Sequence, residues 1–199
     1  MAISRFINMK QRRPLHSIIF NAWSSCITND YNNQRINSER SLQASFWSRL
    51  NSSLSKNKRM FIEPNITFKT NKGITRIIPD LVICNTKEVI GVIELKYGPR
   101  ANPKFAKDIQ SLSSIAKHRG NIILTNERYL GDAADGKRYK LSKNILFIWA
   151  GVHASPHNKI STERKTKLYS EGRPELDGCF IELHAETRKN FRPDVYELS

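Results

Sequence analysis

The sequence predicts an α/β fold built around a mixed β-sheet. Three consecutive apolar segments have the length of strands, a segment with helical spacing lies on each side of them, and further apolar strand segments follow. Short loops join the three strands, so we expect an antiparallel meander, and the second helix should carry the chain back to a roughly parallel strand. The length, 199 residues, suffices for one domain with a substantial core, or for one domain with a small appendage.

Residues 1–37 are predicted to be a basic, helical N-terminal segment. After Pro14, apolar residues recur at helical spacing: Leu15, Ile18, Ile19, Ala22, Trp23 and Ile27. The first 29 residues contain no acidic residue, which is also typical of a transit peptide. We favour an ordinary amphipathic helix, because it explains the helical spacing of these apolar residues at least as well as a transit peptide does.

Residues 38–152 are predicted to form the core. Asn37 or Ser38 can cap a helix that begins near Glu39 and buries a stripe of four apolar side chains. The stripe consists of Leu42, Phe46, Leu50 and Leu54. The three strands that follow are predicted at Met60–Phe68, Ile74–Cys84 and Val89–Leu95.

A second core helix is predicted to begin at Asn102-Pro103, since proline favours the first helical position. It should end at Gly120 and be followed by strands at Asn121–Leu124 and Ile145–Ala150, with a short helix or an open loop between them. Residues 153–199 are polar and charged apart from Cys179–Leu183, and are expected to be an extension that serves as an arm, a flap or a dimer element.

The charge of the chain indicates a polyanionic partner. It contains 33 Lys and Arg against 18 Asp and Glu, which gives a net charge of +15. Nucleic acid is the commonest partner of such a field, and an anionic membrane surface is the second. No apolar run approaches the length of a membrane span, so no membrane association is expected.

Three widely spaced cysteines, Cys26, Cys84 and Cys179, form no disulfide framework and no CxxC pair, which favours a reducing, cytoplasmic location. His153 and His157 have a spacing found in metal sites, but Ser155-Pro156 separates them and no nearby residue completes a zinc set. Both histidines are therefore interpreted as loop residues.

Asp80 and Glu94 are charged residues within apolar strand segments. A carboxylate in a strand that is buried on both sides is unfavourable unless it is paired or binds a cation. If the loop between the strands centres on residue 86 or 87, Asp80 lies opposite Val92 or Glu94, so the two carboxylates are direct or diagonal neighbours.

Lys96 has the same parity as Glu94, so it shares that face of the strand. The two carboxylates and the peptide carbonyl of Leu95 form an all-oxygen donor set that suits Mg²⁺, with Mn²⁺ as a substitute. The alternative is a surface salt bridge among the three charged side chains.

Pro79-Asp80, thirteen intervening residues and Glu94-Leu95-Lys96 resemble the motif of the PD-(D/E)xK nuclease superfamily. The order helix, three strands, helix, strand over roughly residues 38–150 is similar to the restriction-endonuclease-like core of that superfamily. The resemblance implies a Mg²⁺-dependent DNA nuclease, an endonuclease that leaves a 5′-phosphate and a 3′-hydroxyl.

The resemblance also implies two further catalytic positions. Glu39 matches a glutamate on the helix before the sheet and is a candidate ligand of a second ion, while Gln110 matches a glutamine on the following helix. An ordinary first-turn acid and a solvated helix residue are the alternatives. Some exonuclease-like members carry a tyrosine four residues after the glutamine, where this chain has Ser114.

Basic residues of the first 60 positions and of the second core helix are candidates for contacts with the nucleic-acid backbone. They are Arg12, Arg13, Arg40, Lys56, Lys58, Arg59, Lys104 and Lys107. DNA is the expected substrate and RNA is the alternative, and a homodimer is expected if both strands of a duplex are cut. A nucleic-acid-binding module that keeps the fold without catalysis is the competing function.

Overall fold

The chain folds into three helices around a mixed six-stranded sheet, to which a smaller antiparallel sheet is joined. The computed structural model describes residues 2–71, 73–125, 138–154, 168–188 and 191–199, and in the first helix it describes side chains from Pro14 onward. An α/β fold with a mixed sheet, as the sequence predicts, is therefore confirmed.

Two of the three helices precede the sheet. Helix α1 spans Ala2–Ser25 and continues as a π-helical segment, Cys26–Tyr31. It includes Pro14, whereas the sequence predicted a helix only after that residue. Helix α2 spans Glu39–Ser53 and begins as predicted, because the hydroxyl of Ser38 accepts a hydrogen bond from the backbone N–H of Ser41.

Helix α3 spans Ala106–Lys117 and lies between the fifth and sixth strands. It begins after Phe105, three residues later than Pro103 predicted. The strands, in chain order, are β1 Arg59–Ile62, β2 Ile66–Thr70, β3 Gly73–Ile77, β4 Leu81–Cys84, β5 Glu88–Gly98, β6 Ile123–Thr125, β7 Arg138–Ala154, β8 Phe180–Arg188 and β9 Phe191–Leu198.

The main sheet has the strand order β1-β4-β5-β7-β8-β9, in which β7 is parallel to both β5 and β8 and the other pairs are antiparallel. The small sheet has the order β3-β2-β6-β7 and is antiparallel throughout. The strand directly after α3 therefore joins the small sheet, and β7 is the parallel partner of β5.

Two segments predicted as single strands are each interrupted. Met60–Phe68 divides into β1 and β2 at Glu63, whose φ of 47° bends the chain, and at Pro64. Ile74–Cys84 divides into β3 and β4 around Pro79. As a result a hairpin, β2–β3, projects from the predicted meander β1–β4–β5 into the small sheet.

Helices cover both faces of the main sheet. Trp23 of α1 and Phe46 of α2 pack against one face, which includes Ile93 and Leu95 of β5. Ile109 and Leu112 of α3 pack against the other face with Val92, Phe147 and Trp149. Successive residues of a strand point to opposite faces, so Glu94 and Lys96 lie on the α3 face.

Residues 153–199 were expected to be an extension outside the core. Among the described residues of this segment, β8 and β9 instead extend the main sheet beyond β7, and Leu183 and Ala185 are buried beneath α1. In the parts of the chain that the structure describes, no helix is long and apolar enough to cross a membrane.

Candidate active site

Asp80 and Glu94 meet at the start of the β4–β5 pair. Leu81, the first residue of β4, lies opposite Ile93 of β5, so Asp80 and Glu94 are the next residues along the two segments. Asp80 Oδ2 accepts the backbone N–H of Leu95 at 2.6 Å, and burial together with the neighbouring charge of Asp80 raises the pKa of Glu94. The backbone carbonyl of Asp80 accepts from Gln43 Nε2 of α2 at 3.1 Å, which anchors this turn to the helix.

Pro79 lies in the break between β3 and β4, where it cannot donate a backbone hydrogen bond because proline has no N–H. The ladder between β4 and β5 begins at the pair Leu81 and Ile93. Beyond that pair, the N–H of Leu95 donates to the Asp80 carboxylate, and the Leu95 carbonyl lies on the same edge because both backbone groups of a strand residue project to one side.

Lys96 follows two residues later on the same face and lies between two further carboxylates. Its Nζ is 3.5 Å from Oε2 of Glu39 and 3.6 Å from Oδ2 of Asp108. Burial lowers the pKa of Lys96, but the charges of Asp108, Glu39 and Asp80 outweigh it, so the net shift is upward. The ammonium form of Lys96 is therefore stabilised here.

Glu39 reaches this group from the first turn of α2. Its Oε2 also accepts the backbone N–H of Tyr97 at 3.2 Å, immediately after Lys96 in β5. The Ser38 cap fixes where α2 begins and hence where this carboxylate projects. Its side chain remains 44% exposed, which leaves it accessible from solvent.

Asp108 of α3 was not selected from the sequence, yet it is buried beside Lys96. Its Oδ2 accepts the indole N–H of Trp149 at 3.3 Å. Burial raises the pKa of Asp108, and Lys96 opposes that shift. A sequence signal was present: Asp108 is the only acid in α3 and directly precedes Ile109 in the apolar stripe.

Gln110, which the sequence predicted as catalytic, lies apart from these residues. It is exposed on α3, where its Nε2 donates to Ser114 at 3.3 Å and its Oε1 accepts from Arg173 at 3.4 Å. Two residues correspond to about 200° around a helix, so Asp108 and Gln110 cannot face the same side.

The group carries an excess of negative charge. Four carboxylates, those of Glu39, Asp80, Glu94 and Asp108, surround the single ammonium of Lys96. Burial, followed by the neighbouring charges of Asp80 and Asp108, raises the pKa of Glu94 to about 9. Glu94 therefore holds a proton at neutral pH unless a cation replaces it.

The predicted basic residues fall into separate groups. Arg40 lies next to Glu39 at the start of α2, and Lys104 and Lys107 lie at the start of α3 near Asp108; all three are exposed. Lys56, Lys58 and Arg59 lie beyond the other end of α2, roughly 20 Å from its first turn. The side chains of Arg12 and Arg13 lie outside the described part of the chain.

A second buried polar group lies on the same face of the sheet, beyond Trp149. His184 Nε2 is 3.0 Å from Oε2 of Glu182, and its Nδ1 is 3.0 Å from His153 Nε2. His153 Nδ1 is 3.1 Å from the carbonyl of Ala154, which can only accept a hydrogen bond. His153 must therefore donate to Ala154, His184 must donate to His153, and one proton remains between Glu182 and His184.

Burial raises the pKa of Glu182 to about 8 and lowers that of His184 to about 4, so the proton resides on Glu182 and the pair is neutral. This group was not predicted from the sequence. The prediction that His153 is a loop residue is wrong, because His153 is buried in β7, and His157 lies outside the described residues. Glu182 and Glu186 within an apolar strand were the available signal, of the same kind that revealed Asp80.

Across the described residues, no three His, Cys, Asp or Glu side chains converge closely enough to hold a metal ion between them. Any cation bound at the β4–β5 pair would therefore have two carboxylate ligands and take the rest from backbone, water or substrate. The chain matches no protein-family model, no curated protein and no solved structure.

Proposed function

We propose that this chain is a divalent-metal-dependent DNA nuclease, with Asp80, Glu94 and Lys96 at its catalytic centre. The observation that carries the proposal is the convergence of the Asp80 and Glu94 carboxyls at the start of the β4–β5 pair, where Asp80 Oδ2 accepts the N–H of Leu95, with the Lys96 ammonium on the same face of β5. Paired carboxylates with raised pKa values and an adjacent fixed cation are typical of catalytic sites.

The topology around these residues supports a restriction-endonuclease-like core. An acid-bearing helix, α2, precedes the antiparallel strands β1, β4 and β5, a second helix, α3, follows them, and β7 returns parallel to β5. This is the element order that the resemblance of the Asp80, Glu94 and Lys96 motif implies. Hairpin β2–β3 and strands β8 and β9 are additions to that core.

The donor set fits Mg²⁺ or Mn²⁺. Mg²⁺ commonly takes one or two carboxylates and completes its octahedron with waters and substrate phosphates, so the pair Asp80 and Glu94 is sufficient protein ligation. The carbonyl of Leu95, whose N–H donates to Asp80 Oδ2, would add a third oxygen on the same edge. The surplus of carboxylates over ammonium groups favours a divalent cation electrostatically.

When bound, such an ion supplies Lewis-acid stabilisation of a phosphoryl oxygen and an acidified water. Asp80 and Glu94 would hold and orient the ion. The Lys96 ammonium, kept protonated by Asp108 and Glu39, would stabilise the extra negative charge that develops on the phosphate. Glu39, which is partly exposed, would orient the attacking water, and the products would be a 5′-phosphate and a 3′-hydroxyl.

The test is cleavage of supercoiled plasmid, linear duplex DNA, single-stranded DNA and RNA in Mg²⁺, in Mn²⁺ and in chelator. We expect metal-dependent cleavage of DNA. Asp80→Asn should lower the rate about a hundredfold or more, the scale of losing one transition-state-stabilising group. Gln110→Asn, at an exposed residue of α3 that lies apart from the site, is the control and should cleave like wild type.

Two outcomes would replace the proposal. Binding of nucleic acid without cleavage in any metal would favour a catalytically silent binding module. Cleavage confined to RNA would assign the same site to RNA processing. A homodimer is expected if both strands of a duplex are cut together, and analytical ultracentrifugation with and without DNA measures this directly.

A further inference from the structure

The β2–β3 hairpin presents one solvent face that has no assigned role. Cross-strand partners share a face, so Thr67 with Arg76 and Lys69 with Ile74 lie on one side of this ribbon. Lys69 and Arg76 are exposed, and Ile74 is 77% exposed. Among the described residues, Ile74 is the most exposed large apolar side chain.

The opposite face of the hairpin anchors it to the core. Ile66 and Phe68 are buried, and the Phe68 ring stacks on His118 with centroids 4.4 Å apart. Pairing of β2 with β6 fixes the hairpin further. The ribbon is therefore a preorganised element whose outward side chains are held in a defined row.

The ribbon leads directly into the proposed active site. β3 ends at Ile77, and Asp80 follows three residues later. Arg76 lies four residues before Asp80, so their Cα atoms are within about 14 Å of one another. A nucleic acid bound at Asp80 therefore lies within reach of the side chains of this face.

The charge of the segment indicates what it contacts. Residues 64–79 contain three Lys or Arg and no acid. A basic ribbon with an exposed aliphatic side chain is complementary to a surface of phosphates that flank apolar base edges, which describes a DNA groove. The major groove of B-form DNA, about 12 Å wide, admits a two-stranded antiparallel ribbon.

We propose that this face, defined by Thr67, Lys69, Ile74 and Arg76 and called the ribbon face below, docks in the major groove of duplex DNA and positions a neighbouring phosphodiester at Asp80. The inference rests on the proposed nuclease function and names its substrate as double-stranded DNA. Lys69 and Arg76 contact phosphates, and Ile74 contacts base edges or methyl groups. Duplex RNA is excluded from the same mode, because its major groove is deep and narrow.

The experiment measures binding of the full chain, in chelator, to a duplex DNA, a duplex RNA and a single-stranded DNA of the same sequence at several salt concentrations. Wild type should prefer duplex DNA. The double variant Lys69→Gln with Arg76→Gln should bind duplex DNA about tenfold more weakly, and the slope of log K against log salt should fall by about 2. Ile74→Ser should weaken binding about threefold with the slope unchanged.

The matched control is Lys87→Gln. Lys87 is exposed in the loop between β4 and β5, at the end of that hairpin away from Asp80. It should leave affinity and slope for duplex DNA unchanged. Thermal unfolding of each variant checks that the hairpin still folds, and the single variant Lys69→Gln provides the same comparison if the double variant does not.

The ribbon proposal is overturned if the folded double variant keeps wild-type affinity and slope for duplex DNA, or if it loses the same factor for all three nucleic acids. Retained Mg²⁺-dependent cleavage in that case would leave the nuclease proposal standing. Conversely, selective loss of duplex binding together with no cleavage by wild type in any metal would support the ribbon face and reject the nuclease.

Discussion

The buried pair of Glu182 and His184 makes the stability of the protein depend on pH in a way that one substitution should remove. Glu182→Gln keeps the shape of the side chain. Its amide oxygen can still accept the backbone N–H of Tyr169, and its amide NH₂ can still donate to His184 Nε2. The substitution removes only the titration.

The sign follows from the two pKa shifts. The folded pKa of Glu182 is raised to about 8 from its ordinary value of 4.5, so its stabilising contribution is full below pH 4.5 and is lost as the pH rises through 8. The folded pKa of His184 is lowered to about 4 from 6.5, so the histidine favours unfolding as the pH falls below 6.5. The two effects oppose one another between about 4.5 and 6.5, and Glu182 acts alone above that.

Glu182 alone changes the free energy of unfolding between pH 6.5 and its folded pKa of about 8. Over these 1.5 pH units, at 1.36 kcal/mol per unit, the change is about 2 kcal/mol. Between pH 6.5 and 9 the wild-type free energy of unfolding should therefore fall about 2 kcal/mol further than that of Glu182→Gln. Urea titrations at pH 6.5, 7.5, 8.5 and 9 measure it, and Glu171→Gln, at an exposed carboxyl, is the control that should parallel wild type. Parallel curves for wild type and Glu182→Gln, within about 0.5 kcal/mol, would refute the neutral-pair assignment.

Three further predictions concern Lys96 and its surroundings. Lys96→Met should lower single-turnover cleavage about a hundredfold while Mg²⁺ binding, measured by calorimetry, persists; wild-type rates would remove Lys96 from the mechanism. Asp108→Asn should lower the cleavage rate roughly tenfold and move the basic limb of the pH–rate profile to lower pH, because Lys96 loses its buried carboxylate partner. An unchanged profile would mean that Asp108 has only a structural role. Gly151→Ala should destabilise the fold by about 1–3 kcal/mol in urea unfolding, because the new Cβ would lie 2.2 Å from the Trp149 ring. Gly120→Ala is the control and should be nearly neutral, because its Cβ would have nothing within 4 Å. Equal effects of the two substitutions would contradict the packing described.

The sequence was informative where local patterns determine structure. The Ser38 cap and the four-residue apolar repeat located α2, and strand parity with loop length brought Asp80, Glu94 and Lys96 into one region. These inferences need only the alternation of a strand and a short connection. Neither depends on how distant parts of the chain pack.

Long-range packing determined what the sequence left open. Gln110 and Asp108 lie on opposite sides of α3, and which side faces Lys96 depends on how the helix sits on the sheet. Apolar residues continue on both sides of the interruptions near Pro64 and Pro79. The sequence pattern therefore predicts two longer strands where the structure has β1 and β2, and β3 and β4. Likewise, the apolar strand β8 carries Glu182 and His184, and the contact that places His184 beside His153 of β7 depends on how these two strands pair.

Strand β7 has a consequence for how the protein opens. Of its seventeen residues, Arg138 and Tyr139 pair with β6, those from Lys140 to His153 pair with β5, and those from Phe147 to Ala154 also pair with β8, so the strand is common to both sheets. Where β5 and β8 flank it, successive amides bond alternately to the two neighbours, so the whole set cannot exchange unless both neighbours separate, which requires the cooperative loss of the architecture. Deuterium uptake there should thus report global unfolding, and it should be slower than uptake in the edge strands β1, β3 and β9.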